Sequence, residues 1–120
     1  MSNNLELGRK GEELAANHLS GKGYKILERN WRRGRNEIDI IARDGKYVVI
    51  VEVKTRESNT FGEPEMSVTR EKQKALVRAA NSYILYKDLH DEVRFDIVSI
   101  IIGKGKEAIN HIEDAFYPYF

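Results

Sequence analysis

The spacing of apolar residues changes period several times along the chain. Leu7, Leu14, Ala15 and Leu19 recur at intervals that place them on one stripe, which predicts a helix from about Asn4 to Lys22. Asn3 or Asn4 can cap its start, and Gly21 and Gly23 can end it. The period then shortens. Tyr24 to Trp31 alternates loosely, and Asn36 to Ala42 carries Ile38, Ile40 and Ile41. Tyr47 to Val53 is apolar on both faces apart from Glu52, as expected of a central strand in a covered sheet. Asp44-Gly45, between the last two, is a hairpin signal. Thr55 to Met66 holds Ser58, Asn59, Gly62 and Pro64 without periodicity, and predicts a long loop. A second helix is expected from Thr69 to Lys87, with Leu76, Ala80, Tyr83 and Ile84 on its buried stripe. Val93 to Ile102 forms a further strand, Gly103 to Gly105 a turn, and Ala108 to Ile112 a short final strand. The order α-β-β-β-α-β-β predicts one α/β domain over residues 1–120, a mixed sheet with helices packed on it.

Two carboxylates break this apolar pattern. Glu52 lies between Val51 and Val53, where an unpaired buried charge costs several kcal/mol and requires a partner or a cation. Lys54 follows two residues later and shares its face. Asp39 interrupts Glu37-Ile38-Asp39-Ile40-Ile41 in the same way. If Asp44-Gly45 is a two-residue loop, Arg43 pairs with Lys46, Asp39 with Ile50, and Glu37 with Glu52. Asp39 and Glu52 are then diagonal neighbours on one face, about 7–8 Å apart at Cβ or less. A three-residue loop would send Asp39 to the other face. Carboxylates at that distance can converge on Mg²⁺ or Mn²⁺, which prefer oxygen ligands. An ion held there binds a scissile phosphate and acidifies a water, while Lys54 orients that water or neutralises the transition state. The competing reading is a surface hairpin in which each acid meets a basic side chain.

Charge refines the picture. Twenty basic and 19 acidic residues leave a net charge of +1, which argues against a uniformly basic polynucleotide binder. Yet Lys22, Lys25, Arg29, Arg32, Arg33 and Arg35 crowd one stretch that contains only Glu28 in opposition. Such a face holds phosphates or is simply solvated. Cysteine is absent, which excludes disulfides, zinc–thiolate sites and a thiol nucleophile, and fits a reducing cytoplasm. The polar N-terminus lacks the apolar core of a signal peptide, and no stretch reaches the roughly 20 apolar residues of a membrane helix. The expectation is a soluble cytoplasmic protein with no membrane partner.

Asp39 followed by Glu52-Val53-Lys54 on the next strand resembles the motif of the PD-(D/E)xK nuclease superfamily. Gly8-Arg9-Lys10-Gly11-Glu12, Glu37 to Ile41, Val51 to Lys54, Arg94 to Val98 and Asp114-Ala115-Phe116 extend the likeness over nearly the whole chain. Together they resemble the YraN family of bacterial proteins, similar in fold to archaeal Holliday-junction resolvases. The resemblance implies a restriction-endonuclease-like αβββαβ core. It implies ligation of Mg or Mn by Asp39 and Glu52 with the Val53 carbonyl, a catalytic role for Lys54, and an approach of Glu12 to the metal. Two positions depart from pattern: Ile38 replaces the superfamily's proline, and Asn36 stands where glycine is frequent in the family.

The expected activity is metal-dependent hydrolysis of phosphodiester bonds in DNA, with branched or recombination intermediates among the substrates. The alternative is a catalytically silent nucleic-acid-binding or scaffold protein of the same fold. Arg32, Arg33 and Arg35, with Lys72 and Gln73 at the start of the second helix, are the candidate nucleic-acid contacts. Glu37 joins the acidic cluster or pairs with a neighbouring arginine. Asp96 reads as structural, the three histidines as ordinary and scattered, and Trp31 as a packing residue. Phe116 to Phe120 are expected to cover the sheet or bury against a second copy, and resolvase-like relatives suggest a homodimer.

Overall fold

The computed structural model describes residues 4–58, 67–103 and 105–118. The elements follow the predicted order: α1 (Asn4–Gly21), β1 (Lys25–Arg33), β2 (Asn36–Asp44), β3 (Tyr47–Glu57), α2 (Arg70–Lys87), β4 (Glu92–Gly103) and β5 (Lys106–Ile112). The strands form one open sheet in the order β1-β2-β3-β4-β5. All neighbours are antiparallel except β3 and β4, which run parallel because α2 carries the chain between them. This is the mixed α/β architecture expected, containing the αβββαβ succession.

The sheet is covered on both faces. Ala15, Ala16 and Leu19 of α1 pack on Ile40, Val49, Val51 and Val98. Leu76, Ala79, Ala80 and Tyr83 of α2 pack on Ile38, Ile41, Ile50 and Phe95 from the other side. β3 and β4 therefore contribute apolar side chains to two cores, which is why neither alternates. Thr69 caps α2, its Oγ1 accepting the Lys72 N–H at 3.1 Å. Asp88 ends the helix in the left-handed region at φ 53°. Phe116 stacks on Phe95 at 4.9 Å between centroids, so part of the aromatic terminus covers the α2-side core. Tyr119 and Phe120 lie outside the described residues, as does Asn3.

Three expectations are corrected. The hairpin loop has two residues, but they are Gly45 and Lys46, so Asp44 pairs with Tyr47 and Ile41 with Ile50. Asp44 stays in the strand because Arg94 Nη1 donates to its carboxylate at 2.8 Å, and Gly45 takes the positive φ of 58° at the first loop position. The pairings Arg43–Lys46, Asp39–Ile50 and Glu37–Glu52 are thus displaced; Glu37 instead meets Arg32 at 3.3 Å. Second, β3 runs on through Thr55 to Glu57, since β4 offers a parallel partner as far as Ile102. Ser58 still donates its N–H to the Ile102 carbonyl at 2.9 Å. Residues 59–66 of the expected loop lie outside the described residues. Third, His18 and His111 are neighbours, edge to face at 5.6 Å.

His111 belongs to a buried polar network centred on Asp96, whose side chain is fully enclosed. Arg94 donates to both Asp96 oxygens at 2.9 and 3.0 Å, His111 Nε2 lies 2.8 Å from Oδ2, and the Asp114 N–H donates at 3.0 Å. Burial pushes the Asp96 carboxyl up, but these partners outweigh it and hold it below the usual range. The structural reading of Asp96 is met: it ties β4, β5 and the C-terminal segment together.

Candidate metal centre at the fork between β2 and β3

β2 and β3 are paired only as far as Ile40 and Val51. Two residues apart on a strand normally share a face, yet Ile38 lies in the α2-side core and Ile40 in the α1-side core. The alternation flips at Asp39. Beyond it β2 leaves β3, and the Asp39 carboxylate accepts the Val53 N–H at 2.8 Å. A side chain thus satisfies a donor for which β2 supplies no backbone acceptor.

One residue earlier on β3, Glu52 turns to the α2 face. Its side chain is 13% exposed, and Lys72 Nζ stands 3.7 Å from Oε2. Glu52 hydrogen-bonds Asp39. Burial first, then the Asp39 charge, push the Glu52 pKa up to about 7, while Lys72 and Lys54 pull it back. Continuing the observed pairing by one step sets Asp39 opposite Glu52 rather than diagonal to it.

Glu12 arrives from the other face. Its approach depends on Gly11, where a Cβ would run into Thr55 Oγ1 and stand 2.7 Å from the Thr55 Cβ. Only a glycine lets α1 lie this close to β3. Burial and the Asp39 charge raise the Glu12 carboxyl, against a hydrogen bond from the Asn30 side chain and the charge of Arg29. A cleft of about 280 Å³ opens at this point, lined by Leu7, Gly8, Glu12, Asp39, Val53 and Thr55.

Among the described residues, no three Asp, Glu, His or Cys side chains stand together as a ready cation cage. The donor set nevertheless suits a hard cation. Asp39 and Glu52 already share a hydrogen bond that a cation replaces, and Mg²⁺ is commonly held by one or two carboxylates with water completing its shell. A cleft of this volume accommodates those waters.

A model of the uncharacterised protein family UPF0102 matches residues 11–100. The chain belongs to this family. The UPF0102 protein of Thermodesulfovibrio yellowstonii is 49% identical over 113 residues, 94% of this chain and 97% of the relative. That of Flavobacterium psychrophilum is 45% identical over 119 residues, covering 99% and 100%. That of Christiangramia forsetii is 47% identical over 120 residues, covering both chains fully. UPF0102 is the YraN family that the sequence blocks resembled, and the matched region contains Glu12, Asp39, Glu52 and Lys54.

Within this UPF0102 chain the other candidates are divided. Lys54 follows Glu52 on the same strand, and its charge is felt there. Lys72 reaches Glu52. Gln73 is turned inward, its Nε2 donating to the Val68 carbonyl at 3.1 Å. Arg35 lines a second cleft of about 330 Å³ with Asn36, Glu37, Lys72 and Arg78. Arg32 lines a third, also about 330 Å³, with Arg9, Asn30 and Glu12. Arg33 stacks over the Tyr86 ring at 4.6 Å, in the last turn of α2 and remote from Lys72 in its first. Sequence reasoning missed Asn30, Arg9, Arg78 and the Gly11–Thr55 approach. An asparagine inside a strand was the available signal, since it is a poor strand former. No helix among the described residues is long and apolar enough to cross a membrane.

Proposed function

We propose that this UPF0102 chain is a metal-dependent endonuclease that hydrolyses phosphodiester bonds in DNA. The observation that carries this reading is a half-enclosed carboxylate pair, Asp39 and Glu52, hydrogen-bonded at a sheet fork with Lys54 on the following turn of the strand pleat. Asp39 and Glu52 would hold Mg²⁺ or Mn²⁺, with the Val53 carbonyl and Glu12 beside them. The bound ion supplies a Lewis acid at the scissile phosphate and a water of lowered pKa. Lys54 would hold a water at the phosphate by hydrogen bonding and would balance the negative charge that develops on the phosphoryl oxygens. Lys72 and Arg35 on the α2 side, and Arg32 with Arg9 on the α1 side, hold neighbouring phosphates as point charges and bidentate forks. Branched DNA and a two-fold symmetric dimer belong to the same proposal.

One observation favours the silent alternative: Lys72 already supplies Glu52 with a cation from the protein itself. A panel of labelled duplex, single-stranded, flap and four-way DNA, incubated with Mg²⁺ or Mn²⁺, separates the two. Cleavage lost in Asp39→Ala, Glu52→Ala and Lys54→Ala supports the enzyme. Binding without cleavage, indifferent to those substitutions, supports the silent protein.

A further inference from the structure

β1 and β2 flip together. Arg29 Nη1 reaches Glu13 of α1 at 3.1 Å, whereas Trp31 packs edge to face on Tyr83 of α2 at 5.2 Å. Residues 29 and 31 of a regular strand share a face; here they do not. Asn30 stands between them with φ 51°, in the left-handed region. The register pairs Arg29 with Ile40 and Trp31 with Ile38, which sets Asn30 opposite Asp39, the residue at which β2 flips. The concerted reversal is what turns the outer half of this hairpin away from β3.

Glycine would carry that φ without steric cost. Asparagine carries it with a small one and adds an amide. Asn30 and Glu12 line one cleft together with Arg9 and Arg32, and the Asn30 amide is the neutral donor that counters the rise of the Glu12 carboxyl. The choice of residue matters, because aspartate tolerates the same backbone but offers a carboxylate no donor.

We infer that Asn30 is a positioning residue: its left-handed backbone aims its amide at Glu12 and holds that carboxylate toward Asp39, so that Glu12 faces the cation bound by Asp39 and Glu52. The inference rests on the metal-site reading above. Residues that orient a metal-facing group in this way typically change affinity by about 10–100-fold when removed.

The test is Mn²⁺ affinity of the whole chain, by calorimetry or by the electron paramagnetic resonance of free Mn²⁺, with denaturation in EDTA measured in parallel. Asn30→Gly relieves the backbone and deletes the amide; Asn30→Asp keeps the backbone preference and the shape but removes the donor. Both are expected to bind Mn²⁺ about tenfold more weakly or worse, while Asn30→Gly denatures at or above the wild-type midpoint. In a Glu12→Gln background, Asn30→Gly should add little further loss, because the effect passes through Glu12. Wild-type affinity in both Asn30 variants, with binding still abolished by Asp39→Ala, overturns the positioning role alone. Failure of the wild-type chain to bind Mn²⁺, or binding unchanged by Asp39→Ala and Glu52→Ala, overturns the metal reading and this inference with it.

Discussion

Glu52→Gln should stabilise the metal-free protein at pH 8. The folded Glu52 pKa is raised from 4.5 to about 7, so folding favours its protonated form. For such a group the stability is fully present below the unfolded pKa and is lost as pH rises through the folded one. A shift of this size corresponds to roughly 3 kcal/mol between pH 4.5 and 7. Glutamine resembles the protonated acid: its amide still donates to Asp39 and needs no counter-charge. The ion pair with Lys72, wide at 3.7 Å and with Lys72 40% exposed, already pulls the Glu52 pKa down, so its loss is contained in the shift and nothing further is subtracted for it. The net gain at pH 8 is therefore roughly 3 kcal/mol, a rise in Tm on the order of 10 °C. The assay is urea denaturation of both proteins from pH 4.5 to 8.5 in EDTA, repeated with Mn²⁺. Without metal the curves should meet near pH 4.5, separate progressively from there to about pH 7, and run parallel above it. Mn²⁺ at about 100 times Kd should return roughly 2.7 kcal/mol to the wild type alone. A Glu52→Gln protein less stable than wild type at pH 8 in EDTA, or parallel pH profiles, would refute the reasoning.

Asp39→Asn retains an oxygen for the Val53 N–H but removes the charge beside Glu52, so the Glu52 midpoint should move down by ¹³C NMR while burial still holds it above the ordinary carboxylate range; an unchanged midpoint contradicts the coupling. Gly11→Ala forces a Cβ into Thr55 and should cost about 1–3 kcal/mol in denaturant titrations, with Mn²⁺ binding weakened as α1 is displaced. Arg94→Met strands the enclosed Asp96 carboxylate and should cost about 3–5 kcal/mol at pH 7, recovered in part by adding Asp96→Asn.

Much of the fold could be read from the chain because β3 and β4 bury both faces. Val48 to Val51 and Ile97 to Ile100 admit few other placements, and the helix stripes follow from spacing alone. The hairpin register was not legible: what keeps Asp44 in β2 is Arg94, fifty residues away, and no local turn preference encodes that bond. The nearness of Asp39 to Glu52 was legible, because moving a two-residue loop by one position shifts each pairing by two; their common face was not, because β2 flips at Asp39, which lines the α1-side cleft while Glu52 turns to α2. The flips at Asn30 and Asp39 escaped a period-two reading, which assumes regular strands. Lys72 illustrates a different limit. Its type suggested a phosphate contact, but only the packing of α2 on the sheet reveals that it meets Glu52.

The fork, the acid pair and the close helix are consequences of one another. When β2 turns away at Asp39, the Val53 N–H loses its ladder and takes the carboxylate instead, which fixes a negative charge beside Glu52. Glu52 cannot escape to water, because β3 continues beside β4 and α2 covers its face. On the opposite side, Gly11 and Thr55 bring α1 near enough for Glu12 to add a third carboxylate, held by an asparagine whose own backbone is in an uncommon conformation. The buried Glu52 charge, the crowding of three carboxylates and the left-handed Asn30 backbone oppose stability, and none is needed to close either core. A single divalent cation would relieve the crowded carboxylates together, by taking the place of the proton that burial favours on Glu52 and by offsetting the Asp39 charge that, after burial, raises Glu12. That common remedy distinguishes the cluster from the Asp96 network, where Arg94 and His111 already compensate the buried charge and nothing further is required.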